Sequence, residues 1–76
     1  MQVDEVKALI AQVIAECELE VSFEGNHVHL VVVSEAFAGL NAVKRQQLVY
    51  GALQAPIASG EIHAVHMKTL TPAERG

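Results

Sequence analysis

The side chains best suited to chemistry in this sequence are its four histidines, at positions 27, 29, 63 and 66. A neutral imidazole binds transition metals, and it exchanges protons near neutral pH. On an extended strand His27 and His29 point to the same face, because they are two residues apart. His63 and His66 are three apart and point to opposite faces. No three of the four therefore share a face within one strand.

These residues cannot build a complete metal site on their own. Zinc takes four ligands, or three and a water, and an iron–sulfur cluster takes four, commonly thiolates, with histidine as a known substitute. The one cysteine, Cys17, continues an apolar helical stripe and is interpreted as a small buried hydrophobe, with a ligand or redox role as the alternative. The chain could therefore contribute one or two imidazoles to a site that a partner completes.

Enzymatic chemistry has little support. No Ser or Asp is placed by a motif beside a histidine, as nucleophilic catalysis requires. The sequence also lacks a P-loop, GxGxxG, CxxC or HExxH pattern. We therefore expect a protein that is not an enzyme.

The first half of the chain predicts one helix and a hairpin. Apolar residues at helical spacing predict a helix over residues 3–17. Residues 18–24 alternate between apolar and polar, which is typical of a half-buried strand. Gly25-Asn26 supplies a turn, and residues 27–33 form a second strand that is apolar on both faces from Leu30 onward. The short connection makes the two strands an antiparallel hairpin.

The second half predicts two helical segments and a last strand. Ser34 can cap a short turn, and Asn41 can cap the following helix. Pro56 ends that helix or begins a final turn. Residues 61–72 then read as a strand that leaves a Ser-Gly turn and ends at a proline, after which Thr71 and Pro72 could begin a last helix.

This order of elements predicts an α+β domain with a three-stranded mixed sheet. The strand order is 1-2-3, strands 2 and 3 are parallel because helices connect them, and the helices lie on one face. His27 and His63 then both stand at strand starts, at the same edge of the sheet. They are a candidate pair, and unrelated surface histidines are the alternative. His66 is expected to be a surface residue without a role.

Composition limits the classes of function. The 76 residues are 51% hydrophobic and predict one folded domain spanning residues 1–76. The formal charge is −4, with five basic residues, two Phe and one Tyr, so a broad phosphate-binding surface and base stacking are poorly supported. One cysteine and no visible signal peptide favour the cytoplasm.

A set of segments spread over nearly the whole chain resembles the BolA family. The segments are Val28-His29-Leu30-Val31-Val32-Val33-Ser34, Phe37-Ala38-Gly39, Arg45, Leu48-Val49-Tyr50, Leu53, Ile62-His63-Ala64 and Lys68-Thr69-Leu70-Thr71-Pro72. No single segment is decisive; their order and spacing carry the resemblance. The run from Lys44 to Gly51 and the Gly25-Asn26-His27 turn look most like the bacterial YrbA-type branch.

The resemblance implies both a fold and a function. The fold would be similar to class II KH domains, with the topology given above. His63 would correspond to the family's C-terminal histidine, a ligand to a [2Fe–2S] cluster shared with a monothiol glutaredoxin. His27 matches the second ligand position, in the loop between the first two strands. The glutaredoxin side would supply its cysteine and glutathione. The protein alone would be a monomer or a weak homodimer.

Three functions remain open from the sequence. The leading one is a non-enzymatic adaptor in iron–sulfur cluster assembly or trafficking and in iron or stress regulation. The second is a transcriptional regulator of the stress response that binds DNA through Lys44, Arg45 and Lys68, although the KH signature GxxG is absent at Gly39-Leu40-Asn41-Ala42. The third is an interaction module whose histidines only titrate. None involves a membrane.

Overall fold

The computed structural model describes residues 1–75 of the chain. Its helices are α1 (Val3–Val13), α2 (Ala42–Ala52), α3 (Gln54–Ser59) and α4 (Pro72–Arg75), with a 3-10 turn at Glu35–Phe37. Its strands are β1 (Glu18–Glu24), β2 (His27–Val33) and β3 (Ala64–Leu70). None of the helices described is both long and apolar enough to cross a bilayer.

The sheet has the predicted topology. Its order is β1-β2-β3, with β1 antiparallel to β2 and β2 parallel to β3. The hairpin turns at Gly25, which has φ 61°, a conformation that glycine adopts at little cost. The predicted α+β architecture, with β2 in the centre of a mixed sheet, is therefore confirmed, and it is compatible with a KH-like fold.

The sheet has one buried face and one exposed face. Side chains alternate between the two along β1 and β2, and α1 and α2 pack over the buried face. The exposed face, called the open face below, carries three glutamates and a serine from β1, two histidines and a valine from β2, and mixed residues from β3. These are Glu18, Glu20, Ser22 and Glu24, then His27, His29 and Val31, then Ala64, His66 and Lys68.

The first helix is shorter than predicted. We predicted helix through Cys17, but α1 ends at Val13. Ile14 follows in an extended conformation, and Glu16 has φ 53°. The error has a physical reason: Ile14 is still 1% exposed and Cys17 still packs against the core, so the apolar stripe continues where the backbone has already turned toward the sheet.

The last strand starts later than predicted. We expected it from Glu61, but β3 begins at Ala64. Ile62 is 1% exposed and belongs to the core, and its N–H donates to the Pro56 carbonyl at 3.2 Å. Ile62 is apolar because it packs in the core, and not because it alternates with polar residues in a strand. His63 therefore lies outside β3, and the face that we assigned to His63 from strand geometry does not apply.

The end of β3 is held by a cap and an ion pair. As predicted, Thr71 caps α4: its Oγ1 accepts from the Glu74 N–H at 3.2 Å, and the Glu74 carboxylate accepts from the Thr71 N–H at 2.8 Å. Arg45 donates to both carboxylate oxygens of Glu74, at 2.6 and 3.2 Å, and to the Thr69 carbonyl at 3.2 Å. These contacts join α2, β3 and α4.

The end of β2 is held by one buried hydroxyl. Ser34 is 1% exposed, and its Oγ donates to the Ala15 carbonyl at 3.3 Å while accepting from the Ala36 N–H at 3.1 Å. The Ser34 N–H donates to the Leu70 carbonyl at 2.9 Å. The predicted cap is confirmed, and it also ties the segment after α1 to the sheet.

Candidate functional site

His63 combines a fixed backbone with an exposed ring. The residue before it, Ile62, is buried in the core, and the His63 N–H donates to the Asn26 carbonyl in the hairpin turn at 2.9 Å. The residue after it begins β3. The imidazole itself is exposed. A side chain that is accessible and stands on a fixed backbone is what a ligand position requires.

Gly60 sets the path that brings the chain to His63. It ends α3 in the left-handed conformation, with φ 84° and ψ 4°, and its N–H donates to the Ile57 carbonyl at 3.2 Å. A side-chain Cβ placed on Gly60 would lie 3.8 Å from Nε2 of His63. The His63 ring therefore lies over the end of α3.

His27 lies at the same end of the sheet. It begins β2 and is paired with Ala64, the residue that follows His63. Because the His63 N–H binds the residue that precedes His27, the two backbones are neighbours at this edge, as the sequence predicted. The His27 ring is exposed, and its Nδ1 lies 3.3 Å from Nε2 of His66.

Two further histidines lie close to His27. His29 and His66 are paired across β2 and β3, and their rings stack with centroids 4.6 Å apart and planes 12° apart. The rings of His27 and His66 are also nearly parallel, with centroids 5.5 Å apart. His66 is a surface residue, as expected, but it has contacts that sequence reasoning missed. Counting from a strand start at Ala64 would have placed it opposite His29.

The site remains incomplete in ligands. Within residues 1–75, no three His, Cys, Asp or Glu side chains come together in a way that could hold a metal ion. Cys17 does not change this, because it lies between α1 and β1, partly buried against the core. Burial raises the pKa of its thiol, which disfavours the thiolate that binds metals.

The residues considered for DNA binding lie in different environments. Lys44 is exposed on α2, and Lys68 is exposed on the open face of the sheet, away from the helices. The Arg45 side chain is 13% exposed and makes the contacts to Glu74 described above. A phosphate contact by Arg45 would compete with that ion pair, and DNA binding by these three residues stays a prediction.

Comparison with known proteins assigns the family. The model of the family described as BolA-like protein matches residues 5–74. The chain belongs to the BolA family. This BolA-like chain is also 40% identical, over 74 residues, to the acid stress protein IbaG of Escherichia coli K12, an alignment covering 97% of the chain and 88% of IbaG.

Solved structures agree with this assignment. The BolA domain of SufE1 from Arabidopsis thaliana superposes with a TM-score of 0.85 and 31% identity, covering 97% of this chain and 98% of that domain. A BolA homologue from Coxiella burnetii superposes with a TM-score of 0.83 and 33% identity, covering 99% and 96%. The fold of this BolA-like chain is thus shared along almost its full length.

Proposed function

We propose that this BolA-like protein is a non-enzymatic adaptor in iron–sulfur cluster assembly or trafficking, with a role in iron or stress regulation. It would form a heterodimer with a monothiol glutaredoxin, bridged by a [2Fe–2S] cluster. His63 and His27 would be its ligands. The partner would supply thiolates from its cysteine and from glutathione. The name of its relative IbaG, an acid stress protein, agrees with the stress part of this proposal.

The observation that carries the proposal is the placement of His63. Its ring is exposed, while its backbone is tied to the hairpin turn that leads into His27. Because both residues lie at one end of the sheet, with neighbouring backbones, a partner docking at this end could meet both imidazoles. Ligands on a fixed backbone lose little conformational freedom when the cluster binds.

The donor set fits half of a cluster site. A [2Fe–2S] cluster takes four ligands besides its bridging sulfides, and two histidines on one iron are known to replace two cysteines. Within residues 1–75 no larger group of metal ligands is assembled. The missing ligands must then come from another molecule, and the cluster, when bound, would supply electron-transfer or cluster-transfer chemistry at the joint surface.

Anaerobic reconstitution with a monothiol glutaredoxin, glutathione, iron and sulfide tests the proposal. We expect a heterodimer on size exclusion and a visible spectrum that differs from that of the glutaredoxin homodimer. The variant His63→Ala should lose the heterodimer spectrum, because one iron loses its ligand. His27→Ala should change the spectrum as well.

His29→Ala is the matched control. It removes an imidazole from the same strand as His27, but the His29 ring stacks on His66 and not on either proposed ligand, and we expect the spectrum of the heterodimer to remain. A wild-type spectrum from His63→Ala would remove His63 from the site. Equal losses in the His63 and His29 variants would show that the effect is not specific to the proposed ligands, against the assignment made here.

A further inference from the structure

Three imidazoles form a continuous stack on the open face. The order is His27, His66, His29, with His66 in the middle. The stack follows from the register. Parallel pairing sets His29 directly beside His66, and His27 lies two residues before His29 on the same face of β2. The rings of the stack are held by the central strand β2 and the adjacent edge strand β3, and sites on strands are more precise than sites on loops.

Two nitrogens in this stack share a hydrogen bond. Nδ1 of His27 and Nε2 of His66 are 3.3 Å apart, so in the neutral pair one ring donates its N–H to the lone pair of the other. A tetrahedral metal about 2.0–2.1 Å from each of two imidazole nitrogens holds those nitrogens about 3.3–3.4 Å apart. A metal ion that replaces the shared proton would therefore find the two nitrogens already at a suitable separation.

The surroundings favour a cation. On the open face, β1 places Glu24 opposite His27, and a Glu24 carboxylate oxygen lies 4.0 Å from Nε2 of His29. Glu20 lies on the same face of the same strand, four residues before Glu24 and opposite Val31. The chain as a whole carries a charge of −4 with its histidines neutral. This negative potential raises the local concentration of metal ions.

We propose that Nδ1 of His27 and Nε2 of His66 bind a single divalent transition metal ion. Zinc and its neighbours Co²⁺, Ni²⁺ and Cu²⁺ prefer imidazole. Within residues 1–75 no third protein ligand joins them, so water completes the coordination and the site is open. His29 is a positioning residue, because its ring stacks on His66 and limits the rotation of that ring.

This metal site is independent of the glutaredoxin, but it shares His27 with the cluster site proposed above. A clear consequence rests on that proposed function: a metal ion held by His27 and His66 competes with cluster binding at His27. Only His27 belongs to both sites. His63 would serve the cluster alone, and His66 the single metal ion alone.

Titration of the protein alone with Zn²⁺ tests the inference. Calorimetry should show one saturable site per chain, and the ring signals of His27 and His66 should shift in NMR spectra while those of His63 do not. His66→Ala should weaken zinc binding by at least about 10-fold, since loss of even an outer-shell partner typically costs 10–100-fold. Circular dichroism verifies that this variant, altered at an exposed position, is folded.

The matched variant is His63→Ala, which should bind zinc as the wild type does. His29→Ala should keep the stoichiometry and bind more weakly. The inference is overturned if binding does not saturate, if His66→Ala binds zinc unchanged, or if the His63 ring signal shifts in place of that of His66. The two proposals fail separately, because zinc binding is measured without glutaredoxin and cluster formation is measured with it.

Discussion

The conformation of Gly60 makes a sharp prediction about how His63 is held. We expect Gly60→Ala to destabilise the protein, although the space around Gly60 is open. The residue has φ 84°, and residues with a Cβ lose about 1–2 kcal/mol in the left-handed region. No clash adds to this, because the new Cβ would lie 3.8 Å from Nε2 of His63, an ordinary contact.

The size of the effect follows from two opposing terms. The strain of about 1–2 kcal/mol is offset by the reduced entropy of the unfolded chain, about 0.4–1 kcal/mol for Gly to Ala. A net loss of about 0–1.6 kcal/mol results, with a central value of about 0.8 kcal/mol. For 76 residues the free energy of unfolding is on the order of 4–11 kcal/mol, so the variant still folds.

Gly51→Ala is the matched control, since it makes the same chemical change inside α2. Apart from the adjoining residues and the backbone of its own helix, no heavy atom lies within 4 Å of the Cβ position, and Ala in a helix is favoured over Gly by about 0.5–1 kcal/mol. The two variants should therefore shift stability in opposite directions.

Urea unfolding monitored by circular dichroism measures the difference. With a slope of about 1 kcal/mol per molar urea for a domain of this size, the midpoints of the two variants should differ by about 0.5–2.6 M. The His63 ring signal should move in Gly60→Ala and not in Gly51→Ala. A Gly60→Ala variant as stable as Gly51→Ala would refute the argument that this turn is held by a glycine conformation.

Two further predictions concern polar contacts that hold the ends of the strands. Ser34→Ala should cost about 1–3 kcal/mol in urea unfolding, because the buried hydroxyl caps the Ala36 N–H and donates to the Ala15 carbonyl. Ser59→Ala, with similar bonds at an exposed site, should cost under about 0.5 kcal/mol; similar losses would contradict this. The hydrogen bonds from Arg45 lower the pKa of Glu74 from 4.5 to about 2. The stabilisation is therefore full above about pH 4.5 and is lost as the pH falls toward 2, so the urea midpoints of wild type and Glu74→Gln should converge over that interval, and a constant gap would contradict it.

Local chemistry explains which parts of the fold could be read from the sequence. The hairpin was predictable because alternation and a Gly-Asn turn act over a few residues. The Thr71 and Ser34 caps were predictable for the same reason, and parallel pairing of β2 and β3 followed from the helical connection. These features need no knowledge of distant contacts.

The errors arose where one residue type serves two kinds of packing. Ile14 and Ile62 are buried outside the regular elements, so hydrophobic periodicity extended α1 and β3 past their real ends. Arg45 was considered for DNA because of its charge, and its ion pair depends on Glu74, 29 positions away. Sequence patterns do not reveal such a pairing.

The candidate site was predicted in position but not in detail. The same-edge placement of His27 and His63 came from topology, and their assignment as ligands came from family resemblance and remains a prediction. The histidine stack depends on the register between β2 and β3. The predicted strand began at Glu61 and gave His66 no partner, whereas pairing that begins three residues later, at Ala64, sets His66 beside His29.

The two proposals together make His27 the residue at which two metal functions would meet. Its Nδ1 faces His66, so a single metal ion would occupy that nitrogen and leave the ring proton on Nε2. A neutral imidazole has only one lone pair for a metal, so the same ring could not serve the cluster while it holds the metal ion. Zinc held at His66 would therefore weaken the His27 half of a shared cluster without touching His63. Cluster sharing would then depend on the concentration of free metal ions, because folding of the sheet brings His66 next to His27.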